Sequence, residues 1–334
     1  MIISRTPFRV SLFGGGSDYP QWFRQHGGRV IGFTINKYCY ISLRQLPPFF
    51  AHRHRVVYSK VETVNELREI QHPSVRCVLQ EMRVDQGIEI HHDGDLPARS
   101  GLGSSSSFTV GLLNALHAMR GRMTTKKYLA EEAIRIEQDV IGENVGSQDQ
   151  IWAAYGGLNR IEFHLDGGFE VTPVIIARER RELLVSNMML FFTGFSRIAS
   201  EIAGKKIASL EAKSAHVHRM MAMVDASEQI LNSEKADIDD IGRMLHEGWR
   251  LKRDLTESVS TPEIDEIYAA GMAAGALGGK LLGAGGGGFV LLYVQKQHQQ
   301  AVRQALSNLI EVNFDIDGSG SKIVVYEPAG LERQ

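Results

Sequence analysis

Between Leu96 and Phe108 the chain reads LPARSGLGSSSSF: two glycines lead into four consecutive serines, then apolar residues at helical spacing, Phe108, Val110, Leu112, Leu113 and Leu116. Gly101 and Gly103 permit backbone conformations closed to other residues and a close approach to a ligand. The amides of Ser104, Ser105, Ser106 and Ser107 fall where a helix start leaves donors without intrahelical partners. Such donors, with the positive end of the helix dipole, bind anions, so 97–107 is expected to cradle phosphate. An ordinary capped helix start has a similar local pattern. The P-loop spacing G-x-x-x-x-G-K-[ST] is absent, and so is a G-x-G-x-x-G following a strand with an acid downstream.

Two further glycine clusters accompany this loop. The stretch TPFRVSLFGGGSDYP, 6–20, ends a strand in three glycines followed by Asp18 and Tyr19, a polar site at a strand end; taken alone, Asp18 also fits a turn closed by its own side chain. In the stretch GGKLLGAGGGGF, 278–289, four successive glycines, 285–288, remove every side chain from one loop. A hairpin needs only one or two residues with positive φ, so close approach to a ligand or to the phosphate loop explains four successive glycines better. The histidines at 52, 54, 91 and 92 are not expected to form a zinc site, since adjacent strand residues point to opposite faces.

The elements that must position these residues alternate in type. Periodicity predicts strands over 2–13, 30–43, 55–61 and 87–92 and helices over 104–119 and 125–140. After Gly157 it predicts strands over 158–164 and 183–193 and a helical region over 197–258. A helix opens at Thr261 with Pro262 at its first position. Strands over 278–283 and 289–294, a helix over 297–310 and a final strand over 322–326 follow. With the inserted helices set aside, this second half reads β-α-β-β-α-β. A chain of 334 residues is long enough for two domains.

A net charge of −2 without a block of lysine and arginine gives no footprint for nucleic acid or a membrane surface. Cys39 and Cys77 form no C-x-x-C pair, and no apolar run is long enough to span a bilayer. These features lead us to expect a cytoplasmic protein.

The three clusters, in this order and over nearly the whole chain, resemble the motifs of the GHMP kinase superfamily: P-x-R/K at 7–9, G-L-G-S-S at 101–105 and G-A-G-x-G-G at 283–288. Within it, RVSLFGGGSDYP, Val57-Tyr58-Ser59-Lys60, His72-Pro73 and Gly146-Ser147-Gln148-Asp149-Gln150 are most similar to the D-glycero-D-manno-heptose 7-phosphate kinases. Gly15 and Gly16 stand where galactokinases have Glu and His, which disfavours galactose. The resemblance implies an α+β, two-domain GHMP kinase fold. Its N-terminal α/β domain, 1–178, would have a sheet of left-handed-crossover type, and its C-terminal domain, 179–334, would be a ferredoxin-like split βαβ.

It further implies an ATP-dependent sugar kinase using Mg²⁺, which phosphorylates the anomeric hydroxyl of the heptose phosphate for GDP-heptose and surface polysaccharide synthesis. The alternatives are an L-fucose or other sugar-1-kinase, or a catalytically silent sugar- or nucleotide-binding protein. By resemblance, Asp149 faces the attacking hydroxyl and Arg9 pairs with it; a carboxylate beside a cation is stabilised in the charged form that accepts a proton. Gly101, Leu102, Gly103 and Ser104 to Ser107 would hold the nucleotide. Gly15, Gly16, Ser17, Asp18, Tyr19, Gly285 and Gly286 would hold the sugar, and of the candidate cations Lys37, Lys60, Arg197 and Lys252, Arg197 its distal phosphate. Ser105 and Glu137 would ligate Mg²⁺, which takes hard oxygen ligands. Glu137 lies twelve residues before Asp149, one more than the spacing in mevalonate kinases, so an inserted residue is expected near Glu143. The sequence leaves the oligomeric state open, a homodimer among the options.

Overall fold

The computed structural model describes residues 1–194 and 199–328, the side chains of 199–201 excepted. Its larger sheet has nine strands and is built on two long ones, Ile2–Phe13 and Gly28–Gln45, paired antiparallel. Ile88–Gly94 adds to the far half of the second, and Leu158–Phe163 and Ile316–Asp317 to its near half. The hairpin His54–Val57 and Val61–Val64 extends the sheet, His54–Val57 lying parallel to Ile88–Gly94. A parallel pair needs a crossover, and the helix Pro73–Glu81 lies in that connection. The expected single strand over 55–61 is therefore two strands, turned where Tyr58 N donates to Lys60 O at 2.8 Å.

The helix Ser104–Met119 starts and stops where the sequence places it. It is buried along an unbroken run, Ser106 to Leu113, because it lies between the sheet and the helices Lys126–Arg135 and Gln148–Tyr155. Gly111 makes the close approach possible: a Cβ there would sit 2.9 Å from Thr6 Oγ1.

The second sheet has four antiparallel strands in the order Ile310–Glu311, Met188–Phe192, Phe289–Tyr293, Gly278–Leu281. In chain order that is 4-1-3-2 of a split βαβ. The first strand is shorter than expected, since 178–186 forms a helix, Arg178–Ser186, carrying an Arg178–Glu182 pair one turn apart with Leu184 buried. The last helix is likewise short, Gln299–Ala305, because Ile310 and Glu311 pair with Phe192 and Phe191. The strand Lys322–Tyr326 does not close this sheet. It returns to the larger one, antiparallel to 2–5, with Ser321 Oγ 2.9 Å from Thr6 Oγ1. The region over 197–258 resolves into the helices Ala199–Ser209, Ser214–Asn232 and Asp240–Arg253.

Candidate active site

Gly101 and Gly103 have φ of +84° and +73°, and Gly103 is the residue from which the helix Ser104–Met119 starts. No side chain caps this helix. Its carbonyl at Gly103 takes the amide of Ser107 at 2.9 Å, so the amides open to a ligand are those of Ser104, Ser105 and Ser106, one fewer than expected. Three hydroxyls are committed within the protein: Ser104 Oγ accepts from Arg99 N at 3.0 Å, Ser106 Oγ donates to Glu137 at 2.8 Å, and Ser107 Oγ donates to Pro7 O at 2.9 Å. Ser105 is exposed.

Of the glycines over 278–288, Gly283 and Gly288 meet the phosphate loop, and Gly283 also lines the cavity. A Cβ on Gly101 would sit 2.5 Å from Leu282 O, and one on Gly288 2.2 Å from Ser100 O. Phe289 N donates to Ser100 O at 3.1 Å. The two loops thus meet backbone to backbone. Gly285 and Gly286, expected at the sugar, pack instead on Val259, whose carbonyl accepts from Gly286 N at 3.0 Å.

Arg9 projects from the strand Ile2–Phe13 and grips Asp149, in the first turn of Gln148–Tyr155, through two parallel bonds: Nε to Oδ1 at 2.8 Å and Nη2 to Oδ2 at 2.7 Å. Its remaining nitrogen donates to Gly101 O, and its own amide to Leu102 O at 3.1 Å. One arginine therefore ties the carboxylate to the phosphate loop in a planar, bidentate geometry. Asp18, 2% exposed, accepts from Gly16 N at 2.9 Å and from Gln148 Nε2 at 2.7 Å. A Cβ on Gly146 would stand 1.9 Å from Asp18 Oδ2, so that glycine admits the carboxylate. Ser17 is a strut: its hydroxyl bonds Gly14 O at 2.8 Å and takes Arg29 N at 3.0 Å.

Glu137 is wholly buried, in a π-helical turn, Ile136–Val140, that continues the helix Lys126–Arg135. A π turn widens the helix by about one residue per turn and lies, like Glu143, between the start of this segment and Asp149. Glu137 Oε2 accepts from Ser106 Oγ and Gln150 Nε2, while Oε1 has no hydrogen-bond partner. Burial raises the carboxyl to about 7 against the bonds from Ser106 and Gln150. The hydroxyl set against this carboxylate is that of Ser106, not Ser105.

These elements enclose a cavity of about 250 Å³. Arg9, Asp149, Gly15, Asp18, Tyr19, Gly101, Gly103 and Ser104 to Ser106 line it. Leu102, Ser107, Gly16, Ser17, Glu137, Gly285 and Gly286 stand behind the lining, and Arg197 lies outside the described residues. Sequence reading missed Arg99, at φ +59°, Gln148 and, above all, Lys206 and Lys280, which line the cavity with Lys252. Lys280 sits between a glycine pair and two leucines, a position unusual for a solvated charge and the one signal that could have found it.

The chain matches the family described as GHMP kinases N terminal domain over residues 69–157 and GHMP kinases C terminal over 228–311. It is 28% identical over 314 residues to the D-glycero-alpha-D-manno-heptose 7-phosphate kinase of Campylobacter jejuni, covering 91% of this chain and 93% of that one. It is 24% identical to the bifunctional fucokinase/GDP-fucose pyrophosphorylase of Arabidopsis thaliana, over 93% of this chain and 31% of that one. A crystal structure titled as a D-glycero-D-manno-heptose 1-phosphate kinase from Bacteriodes thetaiotaomicron superposes with a TM-score of 0.72 at 24% identity, covering 98% of this chain and 100% of that one.

Proposed function

We propose that this chain, which belongs to the GHMP kinases and is an ATP-dependent sugar kinase, phosphorylates the anomeric hydroxyl of D-glycero-D-manno-heptose 7-phosphate, giving the 1,7-bisphosphate. The observation that carries this reading is the Arg9–Asp149 pair, bonded to the phosphate loop and opening with Asp18 into one cavity. The relative of that name in Campylobacter jejuni, aligned over nearly its whole length, supports the choice of sugar.

In this reading the amides of Ser104 to Ser106 take the phosphates of ATP. Phosphoryl transfer asks the protein for positioning and charge neutralisation more than for covalent chemistry. Asp149 accepts the proton of the attacking hydroxyl, held in place by both of its bonds to Arg9. Asp18, fixed by Gly16 and Gln148, receives hydroxyls of the ring. Glu137 Oε1, a buried acceptor without a partner, and the Ser106 hydroxyl beside it fit a hard cation, and these two would hold Mg²⁺. Bound there, the ion would neutralise charge on the nucleotide's phosphates.

The test is to incubate the protein with Mg-ATP and, separately, heptose 7-phosphate, mannose, L-fucose and galactose, following products by phosphorus NMR. A new anomeric phosphate resonance with heptose 7-phosphate alone is the expected result. The resonance with L-fucose instead would move the chain to the fucokinase class, and no product with any sugar would leave a binding role.

A further inference from the structure

The cavity carries more positive charge than its carboxylates answer. Lys206 comes from the helix Ala199–Ser209, Lys252 from Asp240–Arg253 and Lys280 from the strand Gly278–Leu281, three separate elements meeting at one wall. Lys206 and Lys252 are 4% and 6% exposed. Lys252 Nζ donates to Leu281 O at 2.8 Å and Gly283 O at 2.6 Å; Lys280 Nζ donates to Ser11 O and Leu12 O, both at 2.9 Å. An ammonium has three donors, so each is fixed by two carbonyls and keeps an N–H in hand. The Lys206 ammonium stands 4.9 Å from the centre of the Tyr19 ring, and its Cε lies 3.7 Å from where a Cβ on Gly16 would be. Among the described residues none of the three is ion-paired.

Buried like charges repel, which disfavours their charged forms. Burial, then the neighbouring ammonium groups, hold Lys252 well below the ordinary lysine range and Lys280 at about 7; burial lowers Lys206 against the pull of Asp18 and Asp149. A dianion among them would reverse this. The nucleotide already has the helix start, whereas Lys206 lies on the Gly16–Tyr19 side, where Asp18 faces the cavity.

We infer that Lys206, Lys252 and Lys280 receive the phosphate monoester the sugar already carries, and so make a phosphorylated sugar the substrate in preference to the free one. This rests on the heptose 7-phosphate reading above. Gly16 makes the turn beside the Lys206 side chain, at a φ of +115° that favours glycine.

The test compares kcat and KM for D-glycero-D-manno-heptose 7-phosphate and for free D-glycero-D-manno-heptose, at saturating Mg-ATP, in the native chain, Lys206→Met and Lys206→Arg. The native chain should prefer the phosphate, Lys206→Met should shrink that preference about 10- to 100-fold through KM, and Lys206→Arg should restore most of it. If Lys206→Met slows both sugars equally and the preference survives, the lysines are structural and the heptose 7-phosphate reading stands without them. A native chain that takes only the free sugar overturns both. A second measurement needs no variant: at saturating Mg-ATP, inorganic phosphate should inhibit competitively against heptose 7-phosphate, and inhibition that is absent or not competitive overturns the assignment.

Discussion

Asp149 depends on Arg9, 140 positions away, for both of its oxygens. Asp149→Asn removes the acceptor for the hydroxyl proton but leaves the helix start intact, so kcat should fall by about 10²-fold or more while ATP affinity is nearly kept; steady-state kinetics beside nucleotide titration check this, and unchanged turnover would remove Asp149 from the reaction. Glu137 makes a pH prediction. Its folded pKa, about 7, lies above its ordinary 4.5, so it favours the fold in its protonated form. That contribution is full below about pH 4.5 and is lost as pH rises through about 7. In EDTA the Tm of the native chain should therefore fall across this window relative to Glu137→Gln, and Mg-ATP should narrow the difference by favouring the charged carboxylate. Parallel Tm curves would show that Glu137 is not the titrating group. Arg9, Asp18 and Asp149 were legible because each stands in a short motif with glycines or prolines around it. Lys206 and Lys280 were not, because in a linear chain a lysine reads as a solvated charge, and only tertiary packing takes these two out of water.

Elements were legible where local periodicity and tertiary demand agree. The helix Ser104–Met119 combines a glycine start with an apolar run and was read to its ends. The end of the helix Arg178–Ser186, from Leu183 on, falls within the strand expected over 183–193 because its apolar residues, Leu183 to Val185, run directly into the buried strand Met188–Phe192; the charge pair between Arg178 and Glu182 is the signal of the helix. The glycine loop was read as a close-approach device, and the structure shows what it approaches. Gly288 has φ +109° and space for a Cβ only 2.2 Å from Ser100 O. Gly288→Ala must therefore strain its own backbone or push the phosphate loop away, and either costs more than the ~1 kcal/mol that alanine gains where it fits. The expected result is a lower Tm and a KM for ATP raised about tenfold or more, with the KM for the sugar less affected. A variant with native Tm and native KM for ATP would mean that the two loops do not depend on their contact.

At the scale of the molecule, the chain's last described strand decides how the two sheets hold together. A β-α-β-β-α-β reading of the second half naturally ends on Lys322–Tyr326, yet the split βαβ is already closed by Ile310–Glu311, and the remaining chain crosses back to the first sheet. On the way Asp317 gives its carbonyl to Thr34 Oγ1 at 2.6 Å and to Gly157 N at 2.8 Å, and its carboxylate takes the Tyr38 hydroxyl at 2.8 Å. Gly156 meets Gly320 so closely that a Cβ would fall 2.0 Å from the Gly320 amide. Because this strand covers the edge of Ile2–Phe13, the strand that carries Arg9, losing it would leave an unpaired edge beside the buried Ile2 and Phe8. A chain ended after residue 311 should therefore lose more than the edge itself: the cooperative thermal transition should fall by ten degrees or more, and exposed edge pairing should drive aggregation. Restoring 312–328 as a separate peptide should recover part of the transition, since β-addition needs no covalent link. A truncated chain that melts at the native temperature would mean that the Arg9 strand is held by Gly28–Gln45 alone, and that the helix Ser214–Asn232, through the pairs of Asp225 with Arg29 and Arg160, holds the two halves together without the returning strand.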